Sequence, residues 1–412
     1  MKRLLAIGLL LATVISCRDP LFDSLPRYMR EHGRTLPSSG GTSGGPSPKD
    51  STLTPSPEEP PAPPDPSVYV TAFHYTDTEN WETDSLGAAE LLFFKDEELL
   101  LRLPVDTPPD PERHRIWDGQ LWTDATDGFV TRVFRNGEEA FRFDGQEQLR
   151  GFLVKNGEVH TLGQRPGRDG LCYRINGREV FSSAKGTVLG SPSDPEWESG
   201  ALTPDGDEVY YTYKDDGNYF VMQGSKYHLA VSERGADAFY DFRVKDGEVL
   251  QAYRKGNVYY LKSGERELAL NASGSLVISC KLVPFGADVV LRGVSRISST
   301  DFLFWYFDTS IPGVRNRISG KSARSGLVLQ EDGWLFADAA ADGSIGRLLL
   351  SGEKVDMPKG EYYLATPQCL FYKDGHYAAA LSGRAGSKPT VVYDGKALAY
   401  SFNGYFTSVK LQ

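Results

Sequence analysis

The stretch RVFRNGEEAFRF, residues 132–143, places an Asn-Gly pair between two short runs rich in apolar residues. This pattern predicts a β-hairpin, because Asn and Gly tolerate the positive φ angles of a two-residue turn. The chain repeats it in LCYRINGREVFSS (171–183), YYLKSGERELAL (259–270), RLLLSGEKVDM (347–357) and TVVYDGKALAYSF (390–402). A hairpin repeated along a chain indicates an architectural unit rather than an active site.

Two series of turn glycines run along the chain in step. The first comprises Gly137, Gly177, Gly224, Gly264, Gly313, Gly352 and Gly395. The second, mostly in Asp-Gly or Asn-Gly pairs, comprises Gly119, Gly157, Gly206, Gly247, Gly286, Gly333 and Gly375. Two turns in each repeat of about 43 residues predict two hairpins and therefore four strands, which is typical of a β-propeller blade.

The two ends of the repeat array complement one another. VYVTAF (68–73) and AELLFFKDEELLLRL (89–103) supply the second, third and fourth strands of a blade without its first, whereas GYFTSVKLQ (404–412) stands alone after the last hairpin. We expect the last strand to join the N-terminal three, which removes the exposed sheet edges of an open array. The predicted fold is an all-β propeller of eight four-stranded blades over residues 68–412. The alternative is seven blades, with residues 68–103 packed otherwise.

The N-terminus is typical of an exported protein. Lys2 and Arg3 precede an apolar run, Leu4 to Ile15, that is too short to span a bilayer and long enough for a secretory signal. Cys17 follows Val14-Ile15-Ser16, which resembles the lipobox of bacterial lipoproteins. That resemblance implies cleavage before Cys17 and acylation of this cysteine. An ordinary secretory peptide with a chance cysteine is the alternative.

A segment poor in apolar residues follows Cys17. Residues 34–65 are dominated by Pro, Gly, Ser and Thr, a composition that cannot bury enough surface to offset ordering entropy. We predict a disordered tether over residues 18–67. If fully flexible, its roughly 50 residues would span about 40 Å.

The lipobox, the tether and blades with VYV, Y-x-x-NG-x-x-V and L-x-x-DG-x-x-Y elements together resemble β-propeller lipoproteins of Bacteroidetes cell envelopes, a group with uncharacterised roles. The resemblance covers essentially the whole chain. It implies a lipid-anchored protein of the outer membrane, on its periplasmic face or at the cell surface. The shared motifs are structural, so the resemblance brings no catalytic residue with it.

Charge and motif content disfavour several classes of function. The net charge of −10, which falls to −12 without residues 1–16 and their two positive charges, disfavours nucleic acid as a partner. Cys172, Cys280 and Cys369 are widely spaced in apolar runs, so we expect buried thiols rather than disulfides or a metal site. The six histidines form no HxxxH or HxH pattern, and the chain has no phosphate-binding loop. We therefore expect no cofactor and no metal, and we expect a monomer.

Long loops suggest where a ligand would bind. In propellers, the connections between the second and third strands and between blades emerge on one face, and here the long ones belong to the last blade and the first four. The candidate binding residues in this sector are Trp81, Arg113, His114, Arg165, Arg168 and Trp197. Aromatic and cationic side chains suit a glycan, a peptide or an acidic protein partner. The tryptophans could instead simply cover blade edges.

The sequence therefore favours a lipid-anchored binding or interaction module. One alternative is a glycan-processing enzyme with acidic residues gathered at the mouth of the propeller channel. Another is a mainly structural partner in an envelope complex, which would carry a contiguous apolar patch on its outer rim.

Overall fold

The computed structural model describes residues 65–76, 89–105, 114–127, 130–165, 170–190, 197–271, 276–286, 288–307, 315–384 and 386–412. The predicted signal segment and residues 18–64 of the predicted tether lie outside these ranges. Residues Pro64–Gln412 form one compact unit. The described part is built from β-strands, with two short 3-10 helices at Glu233–Gly235 and Pro367–Cys369. Neither helix is long and apolar enough to cross a membrane.

The strands form eight sheets, numbered here as blades 1 to 8. Blade 1 contains β1 (Val68–Tyr75), β2 (Ala89–Lys95), β3 (Glu98–Val105) and β34 (Gly404–Leu411). Blade 2 contains β4 (His114–Trp117), β5 (Gln120–Asp127), β6 (Val130–Arg135) and β7 (Glu138–Asp144). Blade 3 contains β8 (Gln148–Lys155), β9 (Glu158–Gln164), β10 (Leu171–Ile175) and β11 (Arg178–Ser183). Blade 4 contains β12 (Thr187–Val188), β13 (Leu202–Asp205), β14 (Glu208–Asp215), β15 (Asn218–Gln223) and β16 (Lys226–Ser232).

The other four blades follow in chain order. Blade 5 contains β17 (Ala238–Lys245), β18 (Glu248–Lys255), β19 (Val258–Ser263) and β20 (Arg266–Asn271). Blade 6 contains β21 (Leu276–Phe285), β22 (Asp288–Arg296), β23 (Phe302–Phe307) and β24 (Arg315–Gly320). Blade 7 contains β25 (Gly326–Gln330), β26 (Gly333–Ala339), β27 (Ile345–Leu350) and β28 (Glu353–Val355). Blade 8 contains β29 (Glu361–Tyr363), β30 (Leu370–Lys373), β31 (His376–Arg384), β32 (Thr390–Tyr393) and β33 (Lys396–Ala399).

Blade 1 closes the ring as the sequence predicts. Its strand order is β3-β2-β1-β34, and β34 runs antiparallel to β1 from the pair Val68 and Leu411 to the pair His74 and Gly404. The eight-bladed propeller is therefore confirmed. The seven-bladed alternative is wrong, because residues 68–103 form an eighth blade together with β34.

Aromatic pairs hold neighbouring blades together. Five interfaces have ring centroids 4.9 to 6.5 Å apart, namely Trp122–Phe152, Tyr173–Tyr211, Tyr219–Phe242, Tyr259–Trp305 and Phe304–Phe336. Such pairs contribute about 0.5–1.5 kcal/mol each beyond the area they bury. The three predicted thiols, Cys172, Cys280 and Cys369, are also buried and unpaired with one another. The apolar and aromatic strand residues therefore form the contacts between blades.

The first strands of the blades surround the ring axis. Contacts between first strands join blade 1 to blade 2, blade 3 to blade 4, and each later blade to the next. In blades 4 and 8 the first strand is split, so that β12 and β13 both pair with β14, and β29 and β30 both pair with β31. We call the face with the tight turns between first and second strands the turn face. The opposite face, with the connections between blades, is the loop face.

The predicted hairpin turns form because Asn and Asp accept the left-handed backbone region. Asn136 and Asn176 have φ angles of 49° and 51°, and a glycine with positive φ follows each. The Asn136 Oδ1 also accepts the Leu121 backbone N–H at 2.8 Å, and the Asn176 Oδ1 accepts that of Val159 at 2.9 Å. Each turn side chain therefore ties the second hairpin of its blade to the second strand.

We expect Asn176→Ala to destabilise the propeller by about 2 kcal/mol, since it removes a hydrogen bond of about 1 kcal/mol and strains a left-handed position. The measurement is urea unfolding of the whole chain. Asn176→Gly separates the two effects, because it keeps the backbone freedom and removes only the acceptor. An alanine variant no less stable than the glycine variant would show that the φ angle imposes no strain.

Candidate binding site at the channel mouth

A segment of blade 4 leaves the sheet and enters the central channel. This segment, Trp197–Ala201, precedes β13 and is called the plug here. The Phe152 N–H donates to the Ser199 carbonyl at 3.2 Å, and the Ala201 N–H donates to the Arg150 carbonyl at 2.9 Å. The plug therefore pairs with the first strand of blade 3 along the inner edge of that sheet.

Trp197 extends the plug toward blades 5 and 6. Its indole Nε1 donates to the Leu282 carbonyl of β21 at 2.7 Å, and the Arg243 guanidinium of β17 lies 4.5 Å from its ring centroid. Arg243 also donates from Nη1 to the Gly200 carbonyl at 2.9 Å. The plug therefore contacts the first strands of blades 3, 5 and 6 and bridges the channel between them.

Glu198 connects the plug to blade 1. Its carboxylate lies 2.7 Å from the Lys410 Nζ of β34, and the Lys410 ammonium lies 5.7 Å from the Trp117 ring centroid of β4. The Lys410 side chain is 15% exposed and that of Glu198 is 39% exposed. The ion pair is therefore partly shielded from solvent on the lysine side and open on the carboxylate side.

A recess of about 450 Å³, called the mouth here, opens above this ion pair on the turn face. It is lined by Trp117, Asp118, Val154, Asn156, Gly157, Glu198 and Gln412. Most of these residues come from the β4–β5 and β8–β9 turns and from the end of β34. Three blades and the plug thus build a single concavity.

A narrow crevice of about 40 Å³ lies next to the mouth, and Trp117 and Glu198 line both. The crevice is bounded by the first strands of blades 1, 2 and 8 and includes His114, Gln368 and Lys410. This volume admits a few water molecules but no larger ligand. Of these two cavities, the mouth is the one large enough to hold a small-molecule ligand.

The mouth offers part of the Trp117 indole, two amide side chains and two carboxylates. Asp118 is exposed in a turn at a φ angle of 50°, and Glu198 is held by Lys410. Within the described ranges, no group of three or more His, Cys, Asp or Glu side chains could hold a metal ion. The lining suits recognition of a polar ligand by stacking, hydrogen bonds and charge.

The structure describes three of the six binding residues predicted from the loops. His114 is 4% exposed on β4 and lines the crevice rather than the rim. Trp197 lies in the channel, and Arg165 follows β9 on the loop face, where its guanidinium lies 4.0 Å from Glu147. Trp81, Arg113 and Arg168, like the predicted lipid site Cys17, lie outside the described residues. The three described residues share no common surface, and a binding role for the six stays a prediction.

Sequence reasoning did not find Trp117, Glu198 and Lys410 as a group. The usable signal was the length of KGTVLGSPSDPEWESG (185–200), which interrupts the first strand of blade 4. We expected this stretch to lie on the loop face. Its described first part includes β12 (Thr187–Val188), and from Trp197 onward the chain passes into the channel. A long insertion within a first strand has the channel as its nearest free space.

The strand order, ring closure and plugged channel define this protein as an eight-bladed β-propeller. No protein-family model matches the chain, and no curated protein matches it. Similar solved structures include AztD from Citrobacter koseri, at 10% identity and a TM-score of 0.46 over 84% of this chain and 97% of that one. The uncharacterized protein lmo1340 from Listeria monocytogenes matches at 11% identity and a TM-score of 0.39, over 70% and 93% of the two chains. These values are too low to carry an argument about function.

Proposed function

We propose that this protein is a lipid-anchored binding module of a bacterial cell envelope, and that its ligand occupies the mouth. The observation that carries the proposal is the recess of about 450 Å³ above the Glu198–Lys410 pair. Its volume lies in the range of about 300–1,000 Å³ that is usual for small-molecule sites. The plug bridges the channel below it, so a ligand would enter and leave from the turn face.

The N-terminal sequence supports the anchor. The short apolar run before Cys17 and the lipobox-like Val14-Ile15-Ser16 favour acylation of that cysteine. Two acyl chains and an N-acyl group provide stable membrane attachment, because each buried CH₂ contributes about 0.8 kcal/mol. A propeller attached in this way belongs to the outer membrane, on either of its faces, and acts as a monomer.

Thiol chemistry tests the anchor. Burial raises the pKa of Cys172 to about 12 and that of Cys369 to about 11, and it also raises the pKa of Cys280. A raised pKa leaves almost no thiolate at pH 8, and the thiolate is the reactive form. We therefore expect the folded, acylated protein to react with no equivalent of a thiol reagent at pH 8.

The control is the same chain produced without its signal segment, in which Cys17 is free and one equivalent should react. In denaturant, the acylated protein should react with three equivalents of the thiol reagent, at Cys172, Cys280 and Cys369. If folded protein purified from membranes reacts rapidly with one equivalent of the reagent, Cys17 is not acylated.

The binding proposal is tested by screening the full chain against glycans, peptides and small polar molecules. We expect Trp117→Ala to weaken a hit about tenfold or more, because an aromatic platform contributes about 1–3 kcal/mol to a stacked ligand. Trp81→Ala is the matched comparison, since Trp81 belongs to the loop sector predicted from sequence. Loss of binding in Trp81→Ala with full retention in Trp117→Ala would place the site in that sector instead.

An enzyme is the second candidate, because the two charged residues that line the mouth, Asp118 and Glu198, both carry carboxylates. Glycoside hydrolysis uses such a pair as acid and base. Incubation of each glycan hit with the protein, followed by analysis of reducing ends, distinguishes binding from turnover. Turnover that disappears in Asp118→Asn while binding is kept would favour the enzyme.

A further inference from the structure

We propose that the mouth recognises an organic cation, namely a primary ammonium or a guanidinium group, carried by a small amine or by a Lys or Arg side chain. This inference rests on the proposed function, because it names the ligand class of the same recess. Three observations support it: the negative charge of the lining, the Lys410 ammonium bound beneath it, and the net negative charge of the whole chain.

The lining of the mouth is acidic. Its charged side chains are Asp118 and Glu198, and no Lys or Arg is among the residues that line it. Asn156 and Gln412 add amide oxygens, which accept hydrogen bonds from N–H donors. An anionic ligand would meet two carboxylates here, whereas a cationic ligand would find acceptors on several sides.

Lys410 shows that the geometry accommodates an ammonium. Its Nζ lies 2.7 Å from the Glu198 carboxylate and 5.7 Å from the Trp117 ring centroid. An ammonium within about 6 Å of an indole centroid gains roughly 0.5–2 kcal/mol from the ring quadrupole. Glu198 and Trp117 also line the mouth, and the Glu198 carboxylate is 39% exposed, so this carboxylate can receive a second cation from the solvent side.

Lys410 therefore limits the affinity of the mouth for an external cation. It neutralises Glu198 from below, and an external ammonium has to share or displace this contact. The net charge of −10 attracts cations toward the protein at long range, although it does not select a site. Removing the internal ammonium should free the full charge of Glu198 for the ligand.

Isothermal titration calorimetry of the full chain tests the ligand class with two pairs of probes. One pair is butylamine and its acetylated, uncharged form N-butylacetamide; the other is acetyl-Gly-Lys-Gly-amide and the same peptide acetylated on its lysine. We expect each charged probe to bind at least tenfold more tightly than its acetylated partner, since a hydrogen bond to a charged group contributes about 1.5–3 kcal/mol. If the small amine binds more tightly than the lysine peptide, the natural ligand is a free amine. The opposite order indicates a peptide or protein side chain.

Two substitutions test the residues. Glu198→Gln should weaken the charged probe about tenfold, and Lys410→Met should tighten it about tenfold, by the same estimate for a charged contact. Lys410→Arg keeps the internal cation and should leave the affinity near that of the natural chain. Glu353→Gln, on the exposed outermost strand of blade 7, is the matched control for loss of one carboxylate and should change nothing.

Equal binding of charged and acetylated probes would overturn the proposal, as would weaker binding by a folded Lys410→Met. If Lys410→Met does not fold, the acetylation comparison on the natural chain decides by itself. If a neutral or anionic compound binds the natural chain but not Trp117→Ala, the ligand is not a cation, although the mouth is still the binding site. Hits that are all insensitive to Trp117→Ala would remove both proposals.

Discussion

Deleting residues 404–412 is expected to abolish cooperative folding of the propeller. These residues form β34, the first strand of blade 1, which pairs with β1 along its whole length. Phe406, Val409 and Leu411 are buried in a cluster shared with blade 8, and Phe406 is 0% exposed. The deletion would expose an edge of blade 1 and open the ring, at a cost comparable to a typical domain stability of about 5–15 kcal/mol.

Thermal unfolding followed by circular dichroism measures this effect. The control is a circular permutant that carries residues 404–412 and an added Asn-Gly turn ahead of Ser67, with its new end at Asn403. Ser67 and Gln412 already exchange backbone hydrogen bonds of 2.8 and 3.0 Å, so a two-residue turn can join them with little rearrangement. The permutant should melt cooperatively near the temperature of the natural chain. A deleted chain with an unchanged transition would contradict the closure mechanism.

Replacing Glu147 by Gln is expected to destabilise the protein by about 3–5 kcal/mol, since it leaves the buried Arg174 guanidinium without its full counter-charge. The pair is bidentate, at 2.6 and 2.9 Å, with side-chain exposures of 0% for Glu147 and 5% for Arg174. The Arg174 guanidinium also lies 3.9 Å from the Phe143 ring centroid. Gly163 makes room for the carboxylate, because a Cβ there would collide with Glu147.

Urea unfolding measures this loss, and two controls show its origin. Glu139→Gln removes a carboxylate from an exposed pair with Arg142 in blade 2 and should change stability little. The double variant Glu147→Gln/Arg174→Met should be more stable than Glu147→Gln alone, because it also removes the uncompensated charge. A double variant that is less stable than the single one would show that packing, rather than charge, dominates at this site.

The blade repeat could be predicted because its signals are local. A two-residue turn requires particular residues at particular φ angles, and Asn136, Asn176 and their glycines meet that requirement. Even the closure between the ends was readable, since a blade lacking one strand and a lone strand elsewhere complement each other. The buried cysteines followed from their apolar neighbours in the same way.

The face and the residues of the candidate site were not readable from the sequence. Trp197 resembles a surface platform in a long loop, yet its indole N–H bonds the Leu282 carbonyl and Arg243 covers its ring. His114 follows a proline-rich loop, yet it is 4% exposed. The length of residues 185–200 marked this stretch as one of several long loops, but length contains no information on the direction that a loop takes.

Turn chemistry and strand composition act over a few residues, so the all-β class, the preference for eight blades and the closure of the ring were predictable. Which side chains share the mouth became clear from the folded ring alone. Trp117, Glu198 and Lys410 belong to blades 2, 4 and 1, and they meet because the ring brings distant first strands around one axis. Contacts of that kind depend on the closed ring, and no local spacing in the chain encodes them.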